Sequence, residues 1–124
     1  MRMLTSLGAI LALLGVAAGA FGVHALRGRL DPAMLQVWET AARFQLIHAL
    51  ALVFLGQHGS HAPRAGARAA GIALVVGSVL FCGSLDALAL TGLAGWGAVT
   101  PVGGLGLLLG WALIAHAFWP LRAA

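Results

Sequence analysis

The sequence predicts an all-α membrane protein, a four-transmembrane-helix antiparallel bundle forming one domain over residues 1–124. Three observations carry this prediction. The 124-residue chain is 61% hydrophobic and only 8% charged, against roughly 25% charged in a soluble domain. Its apolar residues fall into runs long enough to cross a bilayer, which takes about 20 residues at a rise of about 1.5 Å each. Short links join the runs, and short links make sequence neighbours antiparallel. The composition excludes a disordered chain, which would be poor in apolar residues. The single cysteine, Cys82, excludes a disulfide scaffold.

The first span is expected at about residues 4–26, a run without formal charge. Its opening Met1-Arg2 and its Ala18-Gly19-Ala20 look like parts of a cleavable leader. The apolar run continues through Phe21 to Leu26 with no polar break, so the segment is read as a retained helix. The second span is expected at about 33–56. Asp31-Pro32 starts it, with a capping carboxylate followed by proline in the first turn. Arg43, Gln45 and His48 interrupt its apolar character, and Trp38 is expected near the headgroups. The third span, about 69–91, is broken only by Asp86. The fourth, about 101–119, is read as starting at Thr100-Pro101, with Thr100 as cap. The links are Arg27–Asp31, a polar stretch beginning Gln57–Arg64, and Gly92–Thr100.

Charge sets orientation rather than partner. The formal net charge is +4, but the arginines are scattered and form no basic stripe, so nucleic acid is not expected as a partner. Arg2, Arg64, Arg68 and Arg122 fall on the side of the termini, with Arg27 and Arg29 opposite and partly offset by Asp31. That excess favours both termini in the cytoplasm. Close helix packing is expected at Gly15, Gly19 and Gly22 in the first span and at Gly106 and Gly110 in the fourth. In lipid, small residues let backbones approach. Packing within the bundle is preferred over an oligomer interface for these glycines.

The intramembrane polar residues are the candidate site. Asp86 and Arg43 both fall about 7 Å from the same surface, counted at about 1.5 Å per residue. Glu39 is one turn before Arg43, on the same face. Arg43 is therefore expected to bridge Asp86 and Glu39, with His24 joining through Glu39 in a structural polar cluster. Gln45 and His48 are expected to make interhelical hydrogen bonds. His24, His48 and His116 fall at about 3, 15 and 22 Å, too far apart in height to ligate one ion. His58-x-x-His61 reads as a solvated link. No metal, cofactor or catalytic residue is expected. The chain has no G-x-S-x-G elbow, P-loop, dinucleotide fingerprint or H-E-x-x-H.

Four segments together are distinctive: Gly19-Ala20-Phe21-Gly22-Val23-His24-Ala25-Leu26; Trp38-Glu39-Thr40 with Phe44-Gln45 and His48-Ala49-Leu50-Ala51; Leu80-Phe81-Cys82-Gly83-Ser84-Leu85 with Leu88-Ala89-Leu90; and Thr100-Pro101-Val102-Gly103-Gly104 with Gly110-Trp111. In order and spacing they resemble the domain of unknown function 423 family, small bacterial inner-membrane proteins related to eukaryotic transmembrane protein 256. Two positions depart from that pattern. The family more often has an aromatic residue where this chain has Asp86, and serine is commoner where it has Cys82. The resemblance implies four membrane helices and no assigned activity.

The expected function is accordingly that of a multi-pass inner-membrane protein, a non-catalytic scaffold or accessory component. Its partners are expected to be the lipid bilayer and either a second copy or another membrane protein. Two alternatives stand beside it. One is a small proton or solute transporter using Glu39, Arg43 and Asp86. The other is a redox or pigment-binding subunit using His48.

Overall fold

The structure, a computed structural model, describes residues 1–61 and 64–120, with Ser60 described by its backbone alone. Arg122 and the Ala62-Pro63 step of the second link lie outside the described residues. Four helices follow one another: α1 (Arg2–Phe21), which runs on into a π-helical turn (Gly22–Leu26), α2 (Pro32–His61), α3 (Ala67–Thr91) and α4 (Trp96–Phe118). Among the described residues the only bridge of β type is an isolated one between Arg27 and Leu30. Among the described residues three helices are long and apolar enough to cross a membrane: Arg2–Leu26, Ala67–Thr91 and Trp96–Phe118. α2 is longer, at 30 residues, but more polar.

Local chemistry explains the joints. Asp31 Oδ1 accepts from the Met34 amide at 3.0 Å, and Pro32 is the first helical residue, so the capping carboxylate and the proline act as their positions predict. The preceding turn needs Gly28 at φ +86°, a left-handed conformation that a side chain disfavours. Arg29 and Leu30 amides both bond the Leu26 carbonyl there, at 2.9 and 3.0 Å. Gly92, at φ +69°, ends α3 with its amide on the Leu88 carbonyl, an αL cap.

Two helices overrun their expected bounds. α2 continues to His61 because its last turns are packed on the start of α1. A Cβ at Gly56 would run into Thr5, and one at Gly59 into Met1. α4 starts at Trp96 rather than Pro101, so the proline lies inside the helix. The early start is built by three tight bonds: Trp96 to Leu93 at 3.2 Å, Gly97 to Ala94 at 3.0 Å and Ala98 to Gly95 at 3.2 Å. Proline so near a helix start removes a single ladder bond, the one its amide would make four residues back to Gly97. Thr100 therefore does not cap the helix.

Helix packing follows chain order. α1 lies on α2, α2 on α3 and α3 on α4, with α3–α4 the most extensive contact. The α1–α2 pairing is antiparallel: Gly22 meets Trp38, Gly15 meets Gln45 and Leu46, and Gly8 meets Ala49 and Val53. Those glycines recur every seven residues, a spacing that keeps one seam facing a partner helix. α3 and α4 cross through Gly77 on Gly106 and Leu107, with Gly103 on Leu80 and Phe81, and Gly110 on Leu74. Gly19 is different, with open space where its side chain would be. The expected four-residue pair Gly15/Gly19 is thus replaced by a seven-residue series, because the seam to α2 follows the heptad.

The interior has two apolar clusters. One, toward the chain termini, holds Leu4, Leu52, Leu55, Ala70, Leu74 and Leu107 with smaller neighbours. The other, at the far end, holds Leu26, Trp38 and Ala89. Trp38 is buried, its ring filling the space that Gly22 leaves. The outer faces are apolar too: Ile10, Leu13, Val16, Val76, Val79, Leu105 and Leu108 are all exposed. A soluble bundle turns polar residues outward.

Candidate functional site: the polar belt of the bundle interior

Between the two apolar clusters lie Gln45, His48, Ser78 and Ser84, all buried. Gln45 Nε2 on α2 donates to the Leu11 carbonyl oxygen on α1 at 3.0 Å. Trp38 Nε1 donates to the Ala18 carbonyl oxygen on α1 at 2.8 Å. Both acceptors sit four residues before a glycine that faces α2: Leu11 before Gly15 and Ala18 before Gly22. A carbonyl in a helix points toward the residue four ahead, so a glycine there uncovers it. A Cβ at Gly22 would lie 2.8 Å from Trp38 Cδ1, and one at Gly15 would lie 3.0 Å from Leu46. The π-helical turn begins at Gly22 and is closed by the Arg27 amide on the Gly22 carbonyl at 3.0 Å, a five-residue step that often accompanies such irregular contacts.

α3 and α4 are joined by hydroxyls. Ser84 Oγ donates to the Phe81 carbonyl at 2.9 Å and lies 2.6 Å from Thr100 Oγ1. A hydroxyl has one proton. Thr100 Oγ1 also lies 3.5 Å from the Trp96 carbonyl oxygen, so either hydroxyl can serve as donor in the Ser84–Thr100 bond. His48 makes its hydrogen bond within α2, Nδ1 to the Phe44 carbonyl at 2.6 Å, instead of the expected bond to another helix. A carbonyl only accepts, so Nδ1 carries the proton. His48 reaches α4 through its ring, which stands edge-on to Trp111 at 6.0 Å between centroids.

That contact belongs to an aromatic seam that sequence reasoning missed. Phe44 stacks on Phe81 at 4.8 Å. Nearer the termini Phe54, His58 and Phe118 pack together, with centroids 4.4 to 5.6 Å apart. Arg64 lies over the Phe118 ring at 4.9 Å and donates to the Ala117 carbonyl at 3.4 Å. The available signal was the four-residue spacing of Phe44 with His48 and of Phe54 with His58 on α2.

The ionic cluster does not assemble. Among the described residues no ion pair within 4.0 Å joins Arg43 to Asp86 or Glu39. Glu39, Arg43 and His24 are exposed, while Asp86 is half-buried, with its Oδ1 enclosed and unpartnered. Counting residues fixes a height along each helix but not a direction around it. At about 100° per residue Arg43 lies about 160° around α2 from Gln45, on the outer face with exposed Ile47 and Leu50. His24 lies within the π-helical turn and is exposed. Ser78 Oγ is likewise enclosed without a partner. Among the described residues no group of three or more His, Cys, Asp or Glu side chains is placed to hold a metal ion.

Comparison with known proteins places the chain among membrane proteins. Residues 18–104 match the family described as "Protein of unknown function (DUF423)". A UPF0382 membrane protein of Staphylococcus haemolyticus is 40% identical over 114 residues, 92% of this chain and 93% of the relative. The UPF0382 membrane protein YwdK of Bacillus subtilis is 39% identical over 118 residues, 94% of this chain and 96% of the relative. No solved structure matches. With apolar helices, glycine seams and this similarity along most of its length, the chain belongs to the DUF423 family of bacterial membrane proteins.

Proposed function

We propose that the chain is a four-span protein of the bacterial cytoplasmic membrane, with both termini in the cytoplasm, that serves as a non-catalytic accessory or scaffold component. The observation that carries the non-catalytic reading is where the interior polar groups go. Gln45, Trp38 and Thr100 each bond an oxygen of a neighbouring helix, so they hold helices together and do not converge on a space for substrate. The four-span reading is supported by α2, about 45 Å long at about 1.5 Å per residue. It is packed antiparallel to α1 and lies against α3, and both of these are long and apolar enough to cross a membrane. The more polar Arg43 snorkels from its outer face toward the headgroups. The transport alternative needs Glu39, Arg43 and Asp86 on one path, but Glu39 and Arg43 are exposed on α2 while Asp86 is half-buried on α3 and unpaired with either.

The partner is a second copy of the chain or another membrane protein, approached through the apolar outer faces. Cross-linking in native membranes, followed by gentle extraction, tests this reading. Stoichiometric co-purification of a membrane protein or of a second copy is the expected result. Proton or solute flux through liposomes holding the purified chain alone, abolished by Asp86→Asn, would replace it with the transport reading.

A further inference from the structure

The end of the bundle where α1 begins carries Arg2, Arg64 and Arg68, and none of the three carboxylates is near it in sequence height. Asp31 caps the start of α2, Glu39 lies two turns into α2, and Asp86 lies five residues before the end of α3. At this end an open cleft of about 450 Å³ lies between the first turns of α1 and the last turns of α2, lined by Arg2, Thr5, Ser6, Gln57 and His61. Among the described residues every lining side chain is polar, in a chain that is 61% hydrophobic. The helices make this grouping. Arg2, Thr5 and Ser6 are three and four residues apart on α1, and Gln57 and His61 are four apart on α2, so each set shares a face. Arg2 and Ser6 differ in height by about 6 Å at about 1.5 Å per residue, comparable to the headgroup layer on one side of a bilayer, about 5–8 Å.

We propose that this cleft binds the phosphodiester of an anionic phospholipid whose headgroup carries hydroxyls rather than an ammonium. Arg2 supplies a guanidinium fork for phosphate oxygens. Thr5, Ser6 and Gln57 supply hydrogen-bonding groups for further phosphate oxygens and for headgroup hydroxyls. The absence of a carboxylate among the described lining residues leaves an ammonium without a counter-charge, which selects against zwitterionic lipids. Basic pockets at the rim between membrane helices hold anionic headgroups on this physical basis. The inference rests on α1 crossing the membrane, which sets Arg2 at headgroup height. Lipid binding in detergent is measured without reference to topology, so the two fail separately.

The test titrates the purified full chain in nonionic detergent with short-chain phosphatidylglycerol, short-chain phosphatidylcholine and inorganic phosphate. Native mass spectrometry and thermal melting are the readouts. The expected result is one saturable phosphatidylglycerol site, at least about tenfold tighter than for phosphatidylcholine, and weakened about tenfold by Arg2→Gln. Arg29→Gln, at the opposite end, leaves it unchanged. Should Arg2→Gln fail to fold, Ser6→Val, at an exposed position, is expected to weaken binding severalfold. Inorganic phosphate that binds as tightly and displaces the lipid would identify free phosphate as the ligand and overturn the lipid assignment. Equal affinity for the two lipids, or binding indifferent to both Arg2→Gln and Ser6→Val, would overturn the site itself.

Discussion

The side-chain amide of Gln45 reaches across to the carbonyl oxygen of Leu11 at 3.0 Å. Gly15, four residues beyond Leu11, leaves that carbonyl uncovered. Gln45→Leu removes the donor but keeps the volume, so it is expected to cost about 0.6 to 1.7 kcal/mol, the range of interhelical hydrogen bonds in membranes. Gly15→Leu covers the same acceptor, so the two losses are expected to be less than additive. A double-mutant cycle on unfolding in mixed detergent checks this.

Glycines differ by what faces them. A Cβ at Gly103 would run into the Phe81 backbone, whereas one at Gly19 meets nothing within 4 Å. Gly103→Ala is expected to destabilise by about 1–3 kcal/mol or prevent folding, because backbone must move. Gly19→Ala is expected to be neutral or to stabilise by up to about 1 kcal/mol, through helix propensity. Comparing melting temperatures of the two purified variants separates these outcomes.

Arg43 and Asp86 are not paired, and Asp86 Oδ1 is enclosed without a hydrogen-bond partner. Asp86→Leu is therefore expected to leave stability unchanged or raise it, since it removes an enclosed oxygen that has no partner. Combined with Arg43→Met, the effects are expected to add within about 0.5 kcal/mol, as for independent sites. Coupling well above that, read from chemical denaturation of the four variants, would indicate an ion pair after all.

Ser78 Oγ is enclosed and unpartnered, whereas Ser84 Oγ lies 2.6 Å from Thr100 Oγ1. Ser78→Ala is expected to be neutral or mildly stabilising. Ser84→Ala is expected to lose about 1 kcal/mol and to loosen α3 from α4. Hydrogen exchange along α4 would show the difference, with faster exchange only in the Ser84 variant.

Much of this architecture is legible in the residues. Composition and apolar run length mark a helical membrane chain, and Asp31-Pro32 marks the start of α2. Residue counting also puts Glu39, Arg43 and Asp86 at similar depths. It does not decide which way each side chain points, and Arg43 is exposed while Asp86 is half-buried. A π-helical turn breaks the register of α1 after Phe21, so His24 cannot be assigned a direction by a constant 3.6-residue period. Trp38 looks like an interfacial anchor in one dimension. Only the gap at Gly22, sixteen residues earlier in the chain, explains its burial. The α3–α4 crossing was half visible in Gly106 and Gly110, while its partner Gly77 lies on a different helix.

The central claim is that α2 crosses the membrane between α1 and α3 despite its polar residues. Single cysteines introduced at Arg29, Ala65 and Ala94, all exposed in the links, in a Cys82→Ser background test it directly. They are labelled with a membrane-impermeant maleimide in intact cells and in inverted vesicles. The expected result is labelling of positions 29 and 94 from one side of the membrane and of position 65 from the other. Labelling of 29 and 65 from the same side would contradict the four-span bundle.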